Sequence, residues 1–173
     1  MITLNNDKMK SWRLFMHKEE TINKMKKGCL IIGIISCLIA AFHLFCSISI
    51  FFTFLNQKED PLNSTVYLYQ SLIYFMSGII MIIVAIMFFY ISKTGIPFTN
   101  KTMTMVRTIA VGLFFKAIVP VLIPLIILGY DRTSFVMNIT NSLLYMPMGV
   151  LFLFMSYIVK YGAQLQQESD ETL

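Results

Sequence analysis

The sequence predicts an all-α polytopic membrane protein, a four-transmembrane-helix antiparallel bundle with both termini cytoplasmic. Three observations predict it. Of 173 residues, 57% are hydrophobic and only 13% charged, about half the charge of an ordinary soluble domain. The charges are confined to short patches between four long apolar runs. Lys and Arg are also divided unevenly between the two sets of connections that those runs define.

Residues 1–28 form a basic arm, with Lys8, Lys10, Arg13, Lys18, Lys24, Lys26 and Lys27 against Asp7, Glu19 and Glu20. Met9, Trp12, Phe15, Met16, Ile22 and Met25 recur at loosely helical spacing. That pattern suggests a helix along the inner surface with Trp12 at headgroup depth. The first span, 29–55, has no formal charge. At 1.5 Å per residue it measures about 40 Å, more than the hydrocarbon core, so tilt or a protruding end is expected. It is about twice the length of a signal-peptide core and no small-x-small cleavage site closes it, so it reads as a retained helix. Asn56–Thr65 is a polar turn with Pro61 blocking helix continuation. The second span is 66–91, and a loop over 92–107 follows, broken by Gly95 and Pro97, with Thr99 as N-cap of the next helix. The third span is 108–130, the turn Asp131–Asn138 returns the chain, and the fourth span is 139–161. Residues 162–173 are an acidic cytoplasmic tail.

Eleven Lys and Arg lie on the side of the arm, the 92–107 loop and the tail; only Lys58 and Arg132 flank the spans on the other. The richer side is expected to be cytoplasmic, against an anionic inner leaflet, in the cell membrane. The same rule absorbs the net charge of +5, so no direct nucleic-acid binding is inferred. Backbone groups in lipid must be satisfied within a helix or a closed barrel. The runs do not alternate as barrel strands do, and short connections make neighbouring helices antiparallel. Gly33, Cys37 and Ala41, at i, i+4 and i+8 with Ser36 and Ala40 beside them, mark an expected close helix contact. Pro120, Pro124 and Pro147 are expected to kink the third and fourth spans.

Chemistry-bearing residues are few. Lys116 stands eight residues past Thr108, about 12 Å along its helix, and no span contains Asp or Glu. Either it lines a site for an anionic ligand or a partner, or it snorkels back to the cytoplasmic headgroups, which is the simpler expectation. His43, midway along the first span, invites a proton relay; a neutral ring bonded to another helix is simpler, and the depths of the two residues do not suit a direct pair. Together Lys116 and His43 are the candidate intramembrane polar site. Gln70, Asn138 and Asn141 are expected as interhelical or interfacial groups near span ends. Cys29, Cys37 and Cys46 match neither a metal-ligand nor a redox spacing. No catalytic constellation, metal site or cofactor motif is found, which points away from an enzyme.

Two stretches carry a family resemblance. The tail Tyr161–Leu173 places Gly162, Leu165, Glu168, Asp170, Thr172 and Leu173 in a Gly–Leu–acidic close. The run Gly95–Arg107 has Pro97-Phe98-Thr99 leading into a helix with Arg107 followed by Thr108-Ile109-Ala110. Together with the order of spans, these resemble the bacterial membrane family known as domain of unknown function 2975. That resemblance implies a four-span inner-membrane protein without assigned enzymatic activity, partnered with a small helix-turn-helix DNA-binding regulator. The long basic arm matches no motif of that family. Gly162, Leu165, Glu168, Asp170 and Glu171 are the candidate partner contact; the simpler expectation is a solvated tail beside an arm that anchors topology. The leading functional expectation is a regulatory or scaffolding protein. The alternative is a small transporter, channel or ligand-binding bundle using Lys116 and His43, and a homo-oligomer is compatible with either.

Overall fold

Four long helices account for nearly all the structure. The computed structural model describes residues 3–56, 61–128, 136, 139, 140 and 142–171, with side chains from Glu19 onward except at 61–63, 65, 124, 127, 128 and 170. The helices are α1, Thr3–Asn56; α2, Pro61–Thr94; α3, Asn100–Leu128; and α4, Tyr145–Glu171. Each contains a stretch long and apolar enough to cross a bilayer: Glu19–Asn56, Val66–Thr94, Asn100–Ile123 and Tyr145–Ser169. The chain is a multi-pass helical membrane protein.

The ends follow local rules. Pro61 opens α2 rather than sitting in a turn, because a first-turn residue has no intrahelical use for its N–H. The connection is therefore shorter than the polar segment 56–65 suggests. Gly95 ends α2 with φ +73°, and its N–H donates to the Ile91 carbonyl at 2.7 Å. Thr99 caps α3 as its sequence predicts: its Oγ1 accepts the Thr102 N–H at 3.1 Å. The fourth membrane helix starts later than expected, at Tyr145, with the chain turning at Leu144. Pro147 thus falls in the first turn of α4, where proline costs no hydrogen bond, and it is not a kink in mid-helix. α3 continues as helix through Pro120 and Pro124. Most of the turn 131–138, with Arg132 and Asn138, lies outside the described residues, as do Lys58, the Asn141 position and the side chain of Trp12.

Packing is antiparallel and serial. α1 lies on α2, α2 on α3, and α3 on α4, and among the described residues no other pair of helices approaches closely along its backbone. α3 is the most enclosed rod, and α1 and α4 are the two outer ones. The apolar core lies between α2 and α3, where Ile80, Met87 and Ile91 meet Val106, Ile109 and Leu113, with Tyr145 and Phe152 of α4 and Cys29 of α1 against it.

The α1–α2 seam repeats every seven residues. Ser92 donates to the Lys26 carbonyl at 2.9 Å. A Cβ on Gly78 would stand 2.7 Å from Leu44 and 3.5 Å from the Ala40 carbonyl oxygen. Ser47 and Ser71 donate reciprocally to each other's carbonyls at 2.9 and 3.1 Å. By the same register Gly33 falls level with Ala85, both buried. Lys26, Gly33, Ala40 and Ser47 thus oppose Ser92, Ala85, Gly78 and Ser71. This corrects the expected stripe: Gly33, Ser36 and Ala40 are buried, but Cys37 and Ala41 are exposed. Each four-residue step turns a helix about 40° past a full circle. A stripe in fours therefore rotates off the contact, whereas alternating steps of three and four stay on it.

Candidate functional site

The register places basic side chains at two levels. At one end stand Lys24, Lys26, Lys93, Lys101, Arg107 and Lys160 on four different elements. Lys101 Nζ lies 4.6 Å from the centre of the Tyr90 ring, and the Arg107 guanidinium 5.8 Å from that of Tyr157. These two cations rest over aromatic faces. The Lys26 side chain also covers Gly95, placing its positive charge beside the C-terminus of α2. Lys24 pairs with Glu20 at 2.7 Å, but both are largely exposed, so the pair contributes little.

The second level is near mid-membrane. Lys116 is nine residues past Arg107, about 13 Å by helical rise, close to half the thickness of the hydrocarbon core. Its side chain is 9% exposed, and Nζ lies 3.8 Å from the centre of the Tyr145 ring. Among the described residues no carboxylate pairs with it. A desolvated cation–π contact offsets about 2 kcal/mol, whereas an ammonium at the centre of a spanning helix costs at least about 3 kcal/mol. The ring alone leaves a deficit.

The other polar groups converge on Tyr145. Tyr74 of α2 lies within electrostatic range of it, as does the buried Tyr69, whose hydroxyl is 3.1 Å from Ser142 Oγ. His43 of α1 packs its ring 5.7 Å from the Tyr74 ring. Its Nδ1 donates to the Ile39 carbonyl at 2.8 Å. The histidine bond is therefore within its own helix, where a bond to another helix was expected, because the Ile39 carbonyl one turn back has a second lone pair within reach of the ring. His43 and Lys116 do not meet; two tyrosines stand between them. The sequence reading missed Tyr69, Tyr74, Tyr145 and Ser142. For Tyr74 the available signal was a tyrosine well inside an apolar span, away from the interfacial belt where it usually resides.

Beside this cluster, on the α3–α4 seam, is a half-open apolar groove of about 190 Å3. Ala117, Val121, Ile139 and Met146 line it together with Ile118, Leu122 and Leu143, which are exposed towards lipid.

The candidate partner residues lie at the basic end. Phe98 packs where a Cβ on Gly162 would be, 2.8 Å away, so the two stretches that carry the family resemblance touch. Leu165, Glu168 and Glu171 are exposed on α4, and Gln167 donates to Glu171 at 3.0 Å. The side chain of Asp170 lies outside the described residues. Cys29, Cys37 and Cys46 are free thiols at separate levels of α1. No protein-family model matches the chain, and no curated protein or solved structure matches it either.

Proposed function

We propose that this protein is a non-enzymatic membrane scaffold or regulator that works through contacts on its basic side, which is the cytoplasmic one. One observation carries this reading. Two helices continue beyond their apolar runs at that end, with opposite charge. The part of α1 before Cys29 extends about 39 Å and holds seven basic and three acidic residues. The part of α4 after Tyr161 extends about 15 Å and carries Glu168, Asp170 and Glu171. Rigid extensions of spanning helices transmit the arrangement of the membrane part to whatever binds them. The acidic end suits a basic partner, and the family resemblance supplies its kind, a small helix-turn-helix DNA-binding regulator. The basic arm suits anionic lipid.

Truncation after Gly162 is the test. The bundle should insert and keep its helical content, while co-purification of the partner from native membranes in mild detergent is lost. Charge reversal at Glu168, Asp170 and Glu171 should do the same. Unchanged co-purification would overturn the reading.

A second reading, a small ligand-binding bundle, is favoured by the buried Lys116 ammonium without a carboxylate among the described residues.

A further inference from the structure

We propose that the α3–α4 seam binds a long-chain carboxylate, with the carboxylate on Lys116 and the aliphatic chain in the groove beside it. The inference rests on the ligand-binding reading above and is independent of the partner reading.

Three observations point to this ligand class. The first is charge. Lys116 is nine-tenths buried, its ammonium touches the face of Tyr145, and among the described residues no acid neutralises it. A cation in that position is complemented by an anion, and a carboxylate is a compact, singly charged one whose lone pairs accept from neighbouring hydroxyls. The second is that donors are at hand. The Tyr145 ring lies under the ammonium, and Tyr69 and Tyr74 lie within electrostatic range of Tyr145. Phenolic hydroxyls and an ammonium together hold a carboxylate in a medium that supplies no water.

The third observation is the shape and polarity of the neighbouring space. Ala117 and Met146, the chain neighbours of Lys116 and Tyr145, both line the groove. Its lining is aliphatic apart from the Met146 thioether. It is too small for a drug-sized molecule and suits a segment of aliphatic chain. Ile118, Leu122 and Leu143 line it while exposed towards lipid, so a ligand dissolved in the bilayer enters sideways without crossing water. A hydrophilic anion has no such route. The partners of the ligand come from α2, α3, α4 and the segment before α4; none belongs to α1. Binding would therefore tie α4 to α3, and α4 is the helix that carries the acidic extension.

The test uses the full-length protein in lipid nanodiscs. The probe is a diazirine-bearing palmitic acid, compared with its methyl ester, and labelled peptides are mapped by mass spectrometry. The acid should label peptides within 117–146, and the ester should label them about ten-fold less, since it loses a charge-assisted contact. In Lys116→Met the acid should fall to the level of the ester, and Lys116→Arg should retain most of the labelling. Leu122→Trp, at a lipid-exposed position, should crowd the groove and lower labelling with the cation intact. Equal labelling by acid and ester, or undiminished labelling of Lys116→Met, overturns the proposal. If Lys116→Met does not insert, the acid-to-ester ratio on the unaltered protein decides alone. Butyrate separates the two levels of the claim. If the long-chain acid does not label, but butyrate raises Tm in the unaltered protein and not in Lys116→Met, the long-chain ligand fails and the ligand-binding reading stands. If neither occurs, both fail.

Discussion

The two outer seams of the molecule are built from opposite materials. Between α1 and α2, small residues recur every seven positions and the backbones approach until the Ala40 carbonyl almost touches Gly78. Serines at both ends bond across the seam. Between α3 and α4, the contacts are Lys116 on Tyr145, Arg107 on Tyr157, Phe114 against Gly149 and Phe98 against Gly162, with a groove left open. In lipid there is no hydrophobic drive to join helices, so close van der Waals contact and interhelical hydrogen bonds must do it. The α1–α2 seam uses both fully. The α3–α4 seam spends part of its contact on charge and empty space, which points to a role other than holding helices together. One seam is a clasp and the other is where a ligand or a movement can be accommodated.

The largest expected effect breaks the clasp. Gly78→Leu puts side-chain atoms where Leu44 and the Ala40 carbonyl already stand. It should cost about 3 kcal/mol, read as a lower midpoint in detergent unfolding. A midpoint like that of the unaltered protein would mean that the seam is looser than described.

Lys116→Met should act in the opposite direction. It removes an ammonium from mid-membrane and loses one cation–π contact, so stability should rise by about 1–2 kcal/mol. A residue that costs stability where it stands marks a site kept for function. A loss of stability instead would make Lys116 a structural member of the seam. The smallest effect sharpens the comparison: Ser47→Ala with Ser71→Ala removes the reciprocal pair and should cost about 1 kcal/mol. A double-mutant cycle in the same unfolding assay measures the coupling between them.

How much of this was legible beforehand varies residue by residue. The spans were, because length without charge is a local property. The Thr99 cap was, because its bond is to a residue three positions away. The small-residue seam was legible in kind but not in phase. Gly33 and Ala40 are in it, yet Cys37 and Ala41 are outside, since a single helix does not say which face meets a neighbour. Lys116 stood out at once, but its state did not. Snorkelling and burial differ only by what lies beside it, and that is Tyr145, 29 positions along the chain.

The sequence by itself determined four apolar rods, the order in which they cross, and the gathering of lysine and arginine at one set of ends. These follow from the cost of bare peptide groups and charges in hydrocarbon, which each segment meets alone. Tertiary structure decided the serial arrangement, the heptad phase of the α1–α2 seam, and the pairing of Lys116 with Tyr145 and of His43 with Tyr74. Those depend on rotation and register between helices, and a uniformly apolar surface leaves both open until two helices touch.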